Sequence, residues 1–206
     1  MNKKIIGFYD YTVILTYAGF VSSILGIFYA IKNNFYATVI CMGISLICDT
    51  LDGKVARHKA NRTEKESLFG VQIDSLCDIV SFGILPAVLF FKLGVNGTFD
   101  FVLIALYCLC SVIRLGFFNV LAMDKNHERD VYHGLPVVTL SIFVPLVLIV
   151  RKLWLPARVF TWVLRAMLLT FAGLYVLDFK FRKPKILLLS VLFFIFWIPV
   201  VLLFVL

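Results

Sequence analysis

Apolar residues run through this chain in long blocks separated by short polar clusters, without the strict alternation of a surface strand. Seven blocks approach or exceed the ~20 residues that an α-helix needs to cross a bilayer. They lie near 11–32, 34–56, 68–92, 99–122, 135–151, 158–178 and 186–206. The fifth is short and carries Pro145. The pattern predicts an all-α integral membrane protein, a polytopic bundle of about six to eight transmembrane helices, forming one domain over 1–206. Lys3 and Lys4 precede a first apolar run that is too long for the h-region of a cleaved signal, so a retained first helix is expected.

Composition supports the same class. The chain is 62% hydrophobic and 16% charged, with a mean hydropathy of +0.99, where soluble domains run nearer half apolar and a quarter charged. The positive charges then set an orientation. One set of loops holds Lys3, Lys4, Lys54, Arg57, Lys59, Arg62, Lys65, Lys125, Arg129, Lys180, Arg182, Lys183 and Lys185, thirteen in all. The opposite set holds five: Lys32, Lys92, Arg151, Lys152 and Arg158. The N-terminus is therefore expected on the cytoplasmic side of the cell membrane and, with seven spans, the C-terminus outside. The net charge of +8 is an orientation and anionic-lipid signal, and no nucleic-acid partner is expected. Cys41, Cys48, Cys77, Cys108 and Cys110 lie in apolar runs without metal-ligand or disulfide spacing, and read as small buried apolar residues.

The departures from apolarity carry the chemistry. Ionisable residues at membrane depth cost roughly 2.5–3.5 kcal/mol each, so four aspartates need a compensating purpose. The chain reads Asp49-Thr-Leu-Asp52-Gly53-Lys-Val-Ala56-Arg57, then a polar gap, then Gly70-Val-Gln-Ile-Asp74-Ser-Leu-Cys-Asp78. Asp49 and Asp52 are i, i+3 at the cytoplasmic end of the second span. Asp74 and Asp78 are i, i+4 at the start of the third, so each pair shares a helix face. A polar turn of about a dozen residues makes the two helices antiparallel neighbours whose acidic faces meet near the cytoplasmic interface.

Four carboxylates in one small volume stay ionised only beside cations. Oxygen-only ligands point to Mg²⁺ or Mn²⁺, with Ca²⁺ as a third candidate, rather than to zinc. Two adjacent divalent ions suit chemistry at a phosphate. Gly53, Ala56 and Gly70 leave room beside the carboxylates, and Arg57 is a cation suited to phosphate oxygens. Taken singly, the small residues read as helix-packing notches and the charges as a solvated helix end. Neither reading accounts for the whole constellation.

The eight positions Asp49, Asp52, Gly53, Ala56, Arg57, Gly70, Asp74 and Asp78 resemble the signature of the CDP-alcohol phosphatidyltransferases. The resemblance departs in one place: twelve residues (His58 to Phe69) separate the two blocks, where that family has about eight. The extra polar residues Lys59, Asn61, Arg62, Glu64, Lys65 and Glu66 are expected in a cytoplasmic loop. The resemblance implies a CDP-linked lipid donor such as CDP-diacylglycerol. It implies two divalent metals on Asp49, Asp52 and Asp74 with Asp78 shared, and a nucleotide and phosphate pocket lined by Asp52, Gly53, Ala56, Arg57 and Gly70. Asp78 would be the general base, CMP the leaving group, and the protein a homodimer with its active site facing the cytoplasm. The family core has six spans.

The acceptor alcohol is less directly encoded. Asp74-Ser75-Leu76, Ser81-Phe82-Gly83, Arg114-Leu-Gly-Phe-Phe-Asn119 and Tyr132-His-Gly134-Leu135-Pro136 resemble the phosphatidylserine synthase branch, although Phe117 replaces an arginine of that pattern. L-serine is thus the expected acceptor, with Arg114 and Asn119 as candidate acceptor-binding residues. Arg114, inside the fourth span, should face the bundle or a wet cavity. Glycerol 3-phosphate and inositol phosphate are alternative acceptors that would want a larger basic cluster. A divalent-cation transporter is the alternative class, but it would hold its carboxylates near mid-membrane on broken helices. Arg165 reads as snorkelling or packing, and His58, His127 and His133 as solvated loop residues. Trp154 reads as an interfacial anchor, and the last span with Trp197 as lipid-facing bulk.

Overall fold

The computed structural model describes residues 7–8, 11–59, 63–123, 131–182 and 186–205. Within these it describes all side chains except those of Arg57, 131–133, 180–193 and 204. The expectations placed on Lys3, Lys4, Asn61, Arg62, Lys125, His127, Arg129, Lys183 and Lys185 lie outside the described residues, as do the side chains of His133, Lys180 and Arg182.

A single 3₁₀ turn (Tyr11–Val13) leads into α1 (Ile14–Ile31), followed by α2 (Phe35–His58) and α3 (Glu64–Asp78). α3 continues without a break through a π-helical segment (Ile79–Ile84) into α4 (Leu85–Lys92). Then come α5 (Thr98–Met123), α6 (Thr139–Leu153), α7 (Ala157–Val176) and α8 (Ile186–Val205). Among the described residues, five stretches are long and apolar enough to cross a membrane: Tyr11–Ile31, Phe35–Ala56, Glu64–Lys92, Thr98–Met123 and Ala157–Val176. The chain is an integral membrane protein with a helical core.

Two expectations need correction. The fifth span begins at Thr139 rather than 135, because the chain bends at Gly134 (φ 69°) and then turns from Pro136 to Thr139, whose N–H donates to Pro136 O at 3.1 Å; its 15 residues fall short of the spanning length. The fold is all-α, as expected, with one short antiparallel pair between its loops: β1 (Val131–His133) and β2 (Lys180–Arg182), with Tyr132 opposite Phe181. The gap after Arg57 is mostly helix. Thr63 accepts from Glu66 N at 3.2 Å, and Glu66 Oε2 accepts from Thr63 N at 2.8 Å, a reciprocal cap that starts α3 at Glu64. Glu64, Lys65 and Glu66 therefore occupy its first turn, where acids suit the helix dipole.

Close packing between α1 and α2 builds the scaffold of the site. A Cβ at Gly19 would meet Cys48 Cβ at 3.0 Å, so a larger residue there would push the two helices apart by a few tenths of an ångström. Hydroxyls tie the same interface: Ser22 donates to Cys41 O (2.9 Å), Ser45 to Gly19 O (2.8 Å) and Thr38 to Gly26 O (3.3 Å). The apolar core lies further along the bundle, around Met42, Leu85, Leu89, Tyr107, Leu140, Leu168 and Phe196. Phe196 is fully buried and stacks edge-on against Trp197, and both lie against Gly43 of α2. This part of α8 therefore packs into the bundle, and Trp197 is not lipid-facing bulk. Cys41, Cys48, Cys77 and Cys110 are buried free thiols and Cys108 is half-buried, as their apolar settings imply. Trp154 is 82% exposed beside the α6–α7 turn, in keeping with an interfacial position.

Arg165 has a partner that its sequence neighbourhood did not reveal. Its Nε and Nη2 donate to Asp100 Oδ1 and Oδ2 at 2.7 and 2.9 Å, and its guanidinium lies 4.8 Å from the Trp162 ring centre. The Asp100 side chain is 2% exposed and that of Arg165 is 25% exposed, so the two ends of the pair are not equivalent. Arg165→Met strands a buried carboxylate, whereas Asp100→Asn leaves a cation that can reach water. The first should lower stability by about 1.5–3 kcal/mol and the second by less. Thermal unfolding in detergent, which should show the larger Tm loss for Arg165→Met, checks the order.

Candidate functional site

Helical periodicity puts Asp49, Asp52, Gly53 and Ala56 on one face of α2, and Gly70, Asp74 and Asp78 on one face of α3. The two faces do not pack directly on each other. α1 packs against both helices while α2 and α3 barely touch, so the acidic faces look across a gap with α1 as its third wall. α2 and α3 are thus neighbours across the gap, and their acidic faces meet there without close backbone packing. At 1.5 Å rise per residue, Asp78 lies roughly 21 Å along α3 from Glu64, deeper than a helix start at residue 68 implied.

The gap brings the four carboxylates together. One carboxylate oxygen from each of Asp49, Asp74 and Asp78 lies within 4.8 Å of the others, an arrangement that can hold a metal ion. Asp52, 7% exposed, completes the group and lines the same cavity walls as Asp74. Its Oδ2 also accepts from Thr16 Oγ1 of α1 at 2.7 Å. Asp74 Oδ1 is buried and has no hydrogen-bond partner among the described residues. A buried, unpartnered carboxylate oxygen in an all-oxygen cluster fits a hard divalent cation, which would satisfy it directly.

Two cavities meet at this cluster. The larger, about 200 Å³, is lined by Asp52, Gly53, Ala56, Gly70 and Asp74, together with Thr12, Val13, Thr16 and Val71. Gly53, Ala56 and Gly70 thus border open space beside the carboxylates. The smaller cavity, about 10 Å³, lies among all four aspartates and is bounded by Ser45, Cys48, Cys77 and Ser81. Sequence reasoning missed the wall supplied by Thr12, Val13 and Thr16. The only signal was a pair of threonines in an apolar run, which reads equally well as ordinary packing. The backbone of Arg57 lies in the last turn of α2, close to the larger cavity.

The two candidate acceptor residues sit on α5 and bind protein groups. Arg114, 5% exposed, donates from Nε to Leu135 O (2.9 Å) and from Nη2 to Gly134 O (3.1 Å), and so holds the turn before α6. Asn119 accepts from Ser75 Oγ at 2.7 Å and donates to Gln72 Oε1 at 3.3 Å, joining α5 to α3 beside Asp74. His58 ends α2 and is exposed, with Nδ1 2.8 Å from Lys54 O.

The fold is that of a membrane-embedded helical bundle with a carboxylate cluster that can hold a metal ion, and comparison with known proteins supplies the class. A family model described as CDP-alcohol phosphatidyltransferase matches residues 12–176, and the chain belongs to that family, which is metal-dependent. Every residue of the acidic cluster, both cavity linings and α5 fall inside the match. Among its relatives, the CDP-diacylglycerol–serine O-phosphatidyltransferase of Saccharomyces cerevisiae is 37% identical over 53% of this chain and 40% of its own length. The archaetidylserine synthase of Methanothermobacter thermautotrophicus is 35% identical over 69% of this chain and 60% of its own. A CDP-diacylglycerol–serine O-phosphatidyltransferase of Helicobacter pylori is 35% identical over 59% and 50%. The chain thus spans about half the length of the curated relatives it matches. No solved structure matches it.

If the cluster is a cation site, single neutralisations should weaken it selectively. Asp49→Asn, Asp74→Asn and Asp78→Asn should each weaken Mn²⁺ binding at least about tenfold, as the loss of one charged ligand implies. Asp100→Asn, which removes a buried carboxylate outside the cluster, should leave it unchanged. Titration of the purified protein followed by the spin-resonance signal of free Mn²⁺ separates these outcomes.

Proposed function

We propose that this protein transfers a phosphatidyl group from CDP-diacylglycerol to the hydroxyl of L-serine and releases CMP. The observation that carries the reading is the convergence of four aspartates on a cavity edged by Gly53, Ala56 and Gly70, in a chain of this family. Serine as acceptor is supported by the names of relatives at 35–37% identity.

Asp49, Asp52, Asp74 and Asp78 would hold two divalent ions, Mg²⁺ or Mn²⁺, with Ca²⁺ as a further candidate. These ions, when bound, would neutralise the pyrophosphate and the departing phosphate oxygen. Asp52, Gly53, Ala56, Arg57 and Gly70 would receive the nucleotide and its phosphates. Glycine and alanine there keep side-chain atoms out of the space that a ring and two phosphates need. Asp78 would take the proton from the serine hydroxyl as its oxygen attacks the lipid-side phosphorus. The bond from that phosphorus to the bridging oxygen breaks, and its electron pair leaves with CMP. The apolar helix faces around the cluster hold the diacyl chains in lipid, so the donor need not leave the membrane.

Arg114 and Asn119 would border the acceptor side from α5. Arg114 braces the Gly134–Leu135 turn and Asn119 braces α3 next to Asp74, which supports a role in shaping the acceptor's space. The active site would face the cytoplasm, and a homodimer is the family's expected assembly. The family match gives the divalent-cation transporter no support.

The test is CMP release by the purified full chain with Mn²⁺ or Mg²⁺, CDP-diacylglycerol or its ether-linked analogue, and each of serine, glycerol 3-phosphate and inositol phosphate. Serine should support turnover and the phosphorylated alcohols should not; turnover with one of those instead would reassign the acceptor. Asp78→Asn should reduce kcat by at least about a hundredfold, the lower range for loss of a general base, with donor binding still detectable. Arg114→Ala should raise the KM for the acceptor more than it lowers kcat, and an unchanged KM would remove Arg114 from the acceptor side.

A further inference from the structure

The Ser81-Phe82-Gly83 run has no part in the chemistry above, yet it occupies the one irregular stretch of a 29-residue helix. Residues Ile79–Ile84 form a π turn, with Leu85 N donating to Val80 O five residues back. Pro86 explains why the register changes here. It has no N–H for Phe82 O, its expected α-helical acceptor partner, and its ring crowds that carbonyl. Tyr107 of α5 supplies the missing donor, with its hydroxyl 2.6 Å from Phe82 O. The π turn begins at the residue after Asp78, so whatever fixes it also fixes where that carboxylate stands.

A buried hydroxyl knot does so. Ser23 Oγ of α1 lies 2.7 Å from Ser45 Oγ of α2 and 2.7 Å from Ser81 Oγ of the π turn. Ser45 donates onward to Gly19 O at 2.8 Å. All three serines are at most 4% exposed. Ser45 is one turn before Asp49, and Ser81 is three residues after Asp78. The two helices that barely touch are thereby pinned to α1 just beside their carboxylates. We propose that Ser81, through Ser23 and Ser45, is a positioning residue that holds the Asp78 carboxylate beside Asp74 and opposite Asp49. This rests on the proposed function for its consequence in turnover, but its geometric content is the assembly of the cation cluster.

The test compares Ser81→Ala and Ser23→Ala with Ser22→Ala in the purified full chain. Ser22 also bridges α1 to α2, on Cys41 O at 2.9 Å, but forms no hydrogen bond with Ser23, Ser45 or Ser81. Ser81→Ala and Ser23→Ala should each weaken Mn²⁺ binding about tenfold and lower kcat for CMP release, with the KM for the CDP-lipid within about twofold of the parent. The double variant should be no worse than the poorer single one. Ser22→Ala should retain Mn²⁺ affinity and kcat even where its Tm falls. The proposal is overturned if Mn²⁺ affinity in the Ser81 and Ser23 variants stays at the parent value, or if all three serine variants lose it in step with Tm. Should Ser23→Ala not fold, Ser45→Ala replaces it under the same two outcomes. A parent protein that binds Mn²⁺ but releases no CMP with any alcohol would sink the functional reading alone, since the Mn²⁺ titration still judges the knot.

Discussion

Like charges within a few ångströms repel strongly where water is scarce, and this bundle holds four carboxylates in such a place. Much of the nearby structure answers that constraint. α2 and α3 do not close on each other, because the space between them is occupied by acids and bordered by small residues. α1 takes over the task of holding the two helices, and it does so with glycines and hydroxyls. The glycines allow backbones to approach, and the hydroxyls supply donors to carbonyls and to the Asp52 carboxylate. An apolar interface could have packed equally well but could not have met those polar groups.

The same long helix serves two environments. Its first half, α3, turns Gly70, Asp74 and Asp78 towards the gap, while its second half, α4, buries Leu85, Leu89 and Phe90 in the apolar core. A continuous α-helix would tie these two faces to one register. The π turn adds about one residue, roughly 100° of rotation, between them. Pro86 causes it, and Tyr107 and Ser81 anchor it. The irregularity thus separates the demands of the site from those of the core.

α5 stands behind the site and links it to the rest of the bundle. Asn119 reaches α3, Tyr107 reaches the π turn, and Arg114 reaches the turn before α6. Three polar side chains on one helix therefore fix three neighbouring segments. Arg114 is also the point where an intramembrane charge donates to two backbone carbonyls. Two oriented C=O dipoles face the guanidinium and favour its charge there.

Much of this was legible in the amino-acid order, and the reasons are local. Apolar run length gave the helices, since a helix that crosses lipid must satisfy its own backbone and hide nothing polar. The spacing of Asp49, Asp52, Asp74 and Asp78 gave two acidic faces, since 3.6 residues per turn places i+3 and i+4 together. The start of α3 was also readable, in Thr63 and Glu66, but the density of charge around them favoured a loop. What the order could not supply is what depends on distant parts of the chain. Thr16 as the partner of Asp52, Arg165 as the partner of Asp100, and Ser23 as the bridge between Ser45 and Ser81 are separated by 22 to 65 positions. Which helix face meets which is settled by packing alone. The sequence by itself determined a membrane bundle with an acidic pair of helices and the chemistry those acids favour. Tertiary structure decided that a third helix holds them apart, because only its small residues and hydroxyls could approach both.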